Sequence, residues 1–374
     1  MASVYFHIPF CKQACHYCDF HFSTTLKHKD RMLQALQQEL LIRKEELQIP
    51  VESIYFGGGT PSLFSVDQIE FLIQEVVKNF TTIKNPEITL EANPDDLTPD
   101  YLKALSKTKV NRLSIGVQSF FEDDLALMNR AHTAQEALCS IEEAKKYFNS
   151  ITIDLIYAIP GMNLKKWEQN LQKAMSLEIP HISAYALTVE PNTALERFIK
   201  TGKIEPVDES MAEKHYKHLV KTLEKAGYIN YEFSNFGKQG YFSKNNMAYW
   251  TGKPYLGIGP SAHSFNGDMR MWNIKNNLKY IKSIEQGTHT FTSEILSETD
   301  NFNEYLMTGL RTMWGVSFKT VESRFAPKYA THLIDQVLLL TMEGLVSLDG
   351  EILTITPKGK FLSDGIISRL FYID

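Results

Sequence analysis

The sequence has little of what marks a membrane-spanning or a secreted protein. Its 374 residues have a mean hydropathy of −0.23, and no apolar run approaches the roughly 18 residues of a membrane-spanning helix. The first residues carry neither a basic stretch nor a long apolar stretch, so a secretory signal is not expected. These absences predict a cytoplasmic protein with no direct membrane anchor.

An excess of basic charge is also missing. The chain has 39 Lys and Arg against 44 Asp and Glu, a net charge of −5 and an isoelectric point near 6.1. Such a balance disfavours proteins that follow the phosphates of a nucleic acid. A hydrophobic content of 43% is ordinary for a globular protein. The length predicts one large core with a smaller appended unit.

The chain has few cysteines, and most of them lie close together in the sequence. Of the four cysteines, three are Cys11, Cys15 and Cys18, in the spacing C-x3-C-x2-C. Four thiols distributed in this way do not make a disulfide framework. Three thiols on one short loop, in a chain expected in the cytoplasm, favour a metal site.

The first half of the chain alternates between strand-like and helix-like segments. Short β-branched or aromatic runs occupy residues 4–8, 53–56, 88–91, 112–117, 151–156 and 181–186. Amphipathic stretches lie between them, and the clearest begins with a capping box made by Ser65 and Gln68. Six such units predict an α/β fold with a parallel sheet, either open or curved into part of a barrel. Ligands of such sheets gather at the carboxyl ends of the strands.

The second half follows a different pattern. A helix is predicted over 208–226, irregular structure with short strands over 228–272, and helices again from about 297. The chain closes with a hairpin at 346–353 around Asp349-Gly350, a combination that resembles a winged helix. The candidate recognition helix carries Asp335 and Glu343, which disfavours DNA binding. We therefore predict three segments, 1–205, 206–296 and 297–374.

The cysteine loop follows the first predicted strand, and its spacing admits two metal centres. Three cysteines on a [4Fe–4S] cluster leave one iron open for a substrate or cofactor. The alternative is a zinc-stabilised interaction module with His7, His16 or His21 as the fourth ligand. No second cysteine pair is present for zinc, which favours the cluster. Cys139 stands alone in a helical segment and is interpreted as an inert thiol.

Seven motifs in a fixed order carry a family resemblance. Each falls at a strand end or in the loop after it: YFHIPFC (5–11), GGGTP (57–61), EANP (91–94), GVQSF (116–120), NR (129–130), DLIY (154–157) and AYAL (184–187). With its cysteine triplet the chain resembles the radical S-adenosylmethionine (SAM) enzymes. Within them it resembles the branch that holds the oxygen-independent coproporphyrinogen III oxidases and the haem chaperones. The resemblance implies a partial (β/α)6 barrel with a C-terminal helical, winged-helix-like domain.

The resemblance also implies a SAM pocket beside a [4Fe–4S] cluster held by the three cysteines, with SAM chelating the open iron. The implied SAM contacts are Tyr5, Tyr17, Gly58, Gly59, Thr60, Glu91, Gln118, Arg130, Asp154 and Ala186. Their chemistry suits that role, because glycines admit a ligand close to the backbone and Arg130 offers a fork of donors to a carboxylate. Asp154 interrupts an apolar run, where a carboxylate without a partner is costly to bury.

Two features favour the haem-chaperone side of the branch. Phe20 stands where the oxidases carry a fourth cysteine, and the chain starts at its first strand, without the N-terminal extension of the oxidases. The expected function is haem binding and delivery to an acceptor protein, with an electron donor for the cluster. The alternative is oxidative decarboxylation of coproporphyrinogen III.

The haem-associated motif of the chaperones, His-Asn-x-x-Tyr, is altered in this chain. Asn246 and Tyr249 match it, but Asn245 replaces the histidine. An amide is not among the usual haem ligands, whereas Tyr, Met and His are. Haem in this segment would therefore be ligated by Tyr249, Met247 or His263.

Overall fold

The computed structural model describes residues 1–373, and most of its strands belong to one large sheet. In this range the strands are β1 (Ala2–Ile8), β2 (Val51–Gly58), β3 (Thr82–Ala92), β4 (Arg112–Gln118), β5 (Ile151–Tyr157), β6 (His181–Ala186), β7 (Ile229–Glu232), β8 (Asn235–Gly237), β9 (Tyr255–Ile258), β10 (His263–Phe265), β11 (Met269–Asn273), β12 (Phe291–Ile295), β13 (Val316–Ser317), β14 (Val346–Asp349) and β15 (Ile352–Ile355).

Helices follow most of these strands. They are α1 (Lys29–Ile42), α2 (Val66–Asn79), α3 (Pro99–Leu105), α4 (Glu122–Leu127), α5 (Ala134–Ala144), α6 (Leu164–Ser176), α7 (Ala194–Lys200), α8 (Glu209–Lys225), α9 (Lys244–Trp250), α10 (Asn277–Glu285), α11 (Glu298–Leu310), α12 (Phe318–Arg324), α13 (Pro327–Met342) and α14 (Ser363–Leu370). None of these helices combines the length and the apolar character that crossing a membrane requires.

Six parallel strands form the centre of the fold, as the sequence predicted. Strands β1 to β6 are neighbours in chain order, and each pairs in parallel with the next. Their apolar side chains pack between the sheet and its helices; Phe6 and Phe56, for example, stack at 4.9 Å. The predicted capping box of Ser65 and Gln68 starts α2, whose apolar face is buried. The partial (β/α)6 barrel is thereby confirmed.

Short strands from the middle of the chain extend this sheet at both edges. On one side β9 pairs in parallel with β1, with Tyr5 opposite Gly257, and β10, β11 and β12 follow. On the other side β8 and β7 add antiparallel strands to β6. The sequence predicted short strands in this region but did not predict that they would join the central sheet. Strands of three to five residues have too little periodicity to reveal their partners.

The C-terminal part has its own apolar core. Phe302, Leu306, Tyr329 and Leu333 pack there with residues of a three-stranded sheet, and the predicted hairpin turns at Gly350 with φ of +59°. The arrangement agrees with the winged-helix-like domain expected from the sequence. We propose that this domain begins near residue 297, after the segment 206–296 that connects it to the barrel.

Candidate functional site

The cysteine loop is fixed at the carboxyl end of β1. The Cys11 amide donates to Ser23 O at 3.1 Å, and the His16 amide donates to Met128 O at 3.0 Å. Lys12 pairs with Asp95 at 2.7 Å and also with Asp96. These contacts tie the loop to the ends of the neighbouring strands.

The three thiols open into a cavity of about 450 Å³. Nine of the ten residues expected to contact SAM line the same cavity: Tyr17, Gly58, Gly59, Thr60, Glu91, Gln118, Arg130, Asp154 and Ala186. Tyr5, the tenth, lies instead on a larger neighbouring cavity. The structure therefore brings together the cysteines and almost all of the motif residues at the carboxyl ends of the strands.

The glycine turn after β2 forms part of this wall because two strand ends approach each other there. Gly58 has φ of +103°, and a Cβ on it would lie 2.5 Å from His7 Nδ1. A Cβ on Gly59 would lie 2.6 Å from the carbonyl oxygen of Phe10. Only glycine fits both positions, which leaves backbone rather than side chain facing the cavity.

Arg130 places a guanidinium beside the thiols. It donates to Cys15 Sγ at 3.3 Å, to Asn93 Oδ1 at 2.7 Å and to the carbonyl oxygen of Gly116 at 3.0 Å. Its Nε is buried without a partner. Arg130 therefore places an incompletely satisfied guanidinium beside the thiols, a group that suits an anionic ligand.

Burial keeps the outer two thiols of the triplet protonated in the metal-free protein. It raises the pKa of Cys11 and raises the pKa of Cys18 to about 11. Metal ligands must be thiolates, so binding a cluster here releases protons.

Two carboxylates, Glu91 and Asp154, also face the cavity, and neither forms a salt bridge within residues 1–373. Burial raises the pKa of Glu91 to about 7, even though Tyr55 donates to it at 2.7 Å. Burial likewise raises the pKa of Asp154 to about 6, with Ser114 3.4 Å away. Tyr55 and Ser114 were not among the residues expected in the site. Their positions two residues before Gly57 and Gly116 on β2 and β4 were the signal that they face the same side of the sheet as the site.

The raised pKa of Glu91 predicts a pH dependence of stability. The folded-state pKa of about 7 lies above the value of about 4.3 in an unfolded chain. Protonation of Glu91 stabilises the folded protein fully below about pH 4.3, and this stabilisation is lost as the pH rises through about 7. In urea unfolding of the metal-free protein, we expect the stability gained by Glu91→Gln over wild type to grow from pH 5 to pH 8. A difference that is constant with pH would contradict the shift.

Each histidine considered as a zinc ligand uses one of its two ring nitrogens in a hydrogen bond. His7 Nε2 bonds to the carbonyl oxygen of His21 at 2.8 Å, and His16 Nδ1 bonds to that of Leu127 at 2.7 Å. His21 Nε2 bonds to Asn277 Oδ1 at 2.7 Å. Within residues 1–373, no three His, Cys, Asp or Glu side chains surround a position for a single metal ion. The described residues therefore contain no preformed four-ligand zinc site.

A larger cavity of about 890 Å³ adjoins the first. The two share Phe20, Gly58, Glu91 and Tyr185 in their walls, along with Asp19. Among the residues considered for haem, Asn245, Asn246, Tyr249 and His263 line this cavity, whereas Met247 does not. The wall of this cavity also contains the cationic residues Arg270, Lys275 and Arg311, and no sequence motif had indicated that they would lie there.

Helix α9, which carries Asn246 and Tyr249, is held at its start by buried groups. Ser243 caps it, and Glu87 Oε1 accepts from the Asn245 amide at 3.2 Å and from Ser243 Oγ at 3.4 Å. The Tyr249 side chain is 47% exposed and faces the cavity. Residues on β3 thus position the helix that borders the larger cavity.

Comparison with known proteins agrees with this geometry. Residues 5–174 match the radical SAM superfamily, and residues 296–362 match the HemN C-terminal domain. A parallel barrel with a cysteine triplet at its carboxyl end, together with these matches, defines a radical SAM protein.

Comparison with individual proteins shows to which family of radical SAM proteins the chain belongs. The chain is 35% identical to the protein named heme chaperone HemW from Bacillus subtilis, over 98% of both chains. It is 32% identical to that of Lactococcus lactis, over 100% of this chain and 98% of the relative. The coproporphyrinogen III oxidase HemN of Escherichia coli superposes with a TM-score of 0.85 at 26% identity, covering 99% of this chain and 90% of the oxidase. The chain belongs to the HemW family.

Proposed function

We propose that the protein is a radical SAM haem chaperone, which binds haem and transfers it to acceptor proteins. The observation that carries the proposal is the cavity of about 890 Å³ beside the cysteine site, bordered by the family's haem-associated segment. Its volume lies within the roughly 300–1,000 Å³ of small-molecule sites. The full-length similarity to proteins named heme chaperone HemW supports it. The free thiols suit a reducing compartment such as the cytoplasm.

In this proposal Cys11, Cys15 and Cys18 hold a [4Fe–4S] cluster. When bound, such a cluster and SAM together supply one-electron chemistry at the SAM sulfonium. Arg130, with its unpartnered Nε, binds the SAM carboxylate. Glu91 and Asp154 accept hydrogen bonds from the ribose or from the amino group, which gives each buried carboxylate a donor in addition to Tyr55 or Ser114.

The haem iron would take a ligand from the larger cavity. Tyr249 and His263 both line it and are of the usual ligand types. The Asn245 amide at the family's histidine position is not such a ligand. We therefore propose that the side chain of Tyr249 or His263 ligates the haem iron.

Coproporphyrinogen III oxidation is the second candidate, favoured by the superposition on HemN. Phe20 stands against it, since the oxidases resembled by this chain carry a cysteine there. The Phe20 ring is 67% exposed and lies where the two cavities meet. It therefore adds apolar contact area where a fourth thiol would lie.

The test offers haem and coproporphyrinogen III in parallel to anaerobically reconstituted protein with SAM and a reductant. We expect haem to stay on the protein through gel filtration with a shifted Soret band, and no protoporphyrinogen to form. Catalytic turnover of coproporphyrinogen would overturn the chaperone proposal.

Tyrosine variants sharpen this test. Tyr249→Phe should shift the Soret band or weaken haem binding if the phenol ligates the iron, and His263→Ala should do so if the imidazole does. Tyr241→Phe is the matched control, because Tyr241 is a partly exposed tyrosine of the same segment and lies outside the cavity wall. Equal spectra and affinities for all three variants would refute the ligand assignment.

A further inference from the structure

Arg270 lies where the extended sheet meets the C-terminal domain. Its guanidinium pairs with Glu304 of α11 and, at 3.3 Å, with Glu294 of β12. It lines the larger cavity and also a smaller one of about 290 Å³ on the other side of Tyr249. Arg270 is therefore shared between the cavity and the contact that joins the two parts of the protein.

A second guanidinium reaches the larger cavity from the C-terminal domain. Arg311 follows α11, lies 5.4 Å from the ring centre of Trp250 and pairs with Asp364 at 2.8 Å. Its Nε is buried without a partner. Arg270 and Arg311 thus face one cavity from two structural units, with Tyr249 and Trp250 in the same wall.

The combination of flat aromatic walls and two guanidinium groups suits a particular ligand chemistry. Guanidinium forks bind carboxylates through paired, charge-assisted hydrogen bonds. The acidic residues of the cavity repel the carboxylates of such a ligand less strongly than their number suggests. Burial raises the pKa of both Glu91 and Glu232, so that a larger fraction of each is neutral. A planar ring system bearing two carboxylates fits this distribution of groups.

We propose that Arg270 and Arg311 bind the two propionate carboxylates of the tetrapyrrole, and that Arg270 exchanges its partner Glu304 for a propionate when the cargo enters. This inference rests on the proposed function and deepens it. The exchange breaks an ion pair between β11 and α11, so cargo binding loosens the junction between sheet and C-terminal domain. By reciprocity, a change that removes Glu304 from that ion pair and leaves Arg270 in place strengthens cargo binding.

The test compares haem with haem dimethyl ester, which lacks the carboxylates, on the full-length reconstituted protein. Arg270→Gln and Arg311→Gln should each raise the Kd for haem about tenfold, a typical effect of losing a charge-assisted hydrogen bond. Both variants should bind the ester within about twofold of wild type. Glu304→Gln should have the opposite effect and lower the Kd for haem several-fold, because Arg270 then keeps only its longer pair with Glu294 and no longer has to leave Glu304.

The outcomes separate this inference from the function on which it rests. Wild-type protein that binds haem and its dimethyl ester equally would overturn the carboxylate contacts but leave the chaperone function intact. Unchanged or weaker haem binding by Glu304→Gln would overturn the partner exchange. Wild-type protein that binds neither compound would refute the proposed function itself. Ester binding by each variant shows that its cavity is still folded.

Discussion

Replacing any one of Cys11, Cys15 or Cys18 by alanine is expected to reduce the iron and sulfide bound after anaerobic reconstitution to less than about a tenth of the wild-type content. The three thiols line one cavity, and the loop offers no fourth thiol to replace a missing one. A cluster that already has one iron without a protein ligand would then be held by two thiols. The measurement is iron and sulfide per chain together with the visible absorption of the cluster.

Cys139→Ala is the matched control for these variants. Cys139 lies exposed on α5, where its sulfur accepts a hydrogen bond from Gln135 at 3.2 Å, away from the cavity. Its replacement should leave iron and sulfide unchanged. A full load in any of the three loop variants, or a loss in the control, would contradict the assignment of the cluster.

The sequence was sufficient to predict the central barrel and the neighbourhood of the cysteines. The strands of the barrel are consecutive in the chain, so their short apolar runs predicted both their existence and their order. The motif residues lie at strand ends, and carboxyl ends of parallel strands share one edge. Glu91 and Asp154 could therefore be expected near Cys11 without a structure.

The larger cavity could not be predicted in this way, because its walls depend on long-range pairing. Strand β9 joins β1 by placing Gly257 opposite Tyr5, and nothing local in a four-residue strand predicts that partner. Arg270 and Arg311 come from a sheet edge and from the end of a helix in the other domain. Their shared role follows only from tertiary packing.

The wall formed by β9 to β11 depends on one buried carboxylate of α1. Glu39 is completely buried and accepts hydrogen bonds from the Gly259 amide at 2.7 Å and from the Tyr280 hydroxyl at 2.6 Å. It also pairs with Arg43 at 2.9 Å, which in turn donates to the carbonyl oxygen of Gly257 at 2.7 Å. Burial alone would raise the pKa of Glu39, but the bonds and charges of His289 and Arg43 lower it. The carboxylate is therefore ionised and ties α1 to the strands that carry the haem-side residues.

Glu39→Ala is expected to destabilise the protein by about 3 kcal/mol, the lower end of the range for breaking a buried ion pair, because Arg43 loses its fully buried partner and keeps only the 40%-exposed Glu46 at 2.8 Å. The Gly259 amide and the Tyr280 hydroxyl also lose their acceptor, which adds desolvation cost. Urea unfolding followed by circular dichroism measures the effect.

Glu285→Ala removes the same side chain from an exposed ion pair and is the matched control. Glu285 pairs with Arg31 at 2.8 Å, with both side chains 44% exposed. Because water and salt screen such a pair, its loss should cost much less stability than the loss of Glu39. The contrast separates a buried carboxylate with several hydrogen bonds from a screened surface pair, since the two variants delete the same group from a glutamate–arginine pair. Equal losses of stability in both would mean that Glu39 does not hold the wall of the larger cavity.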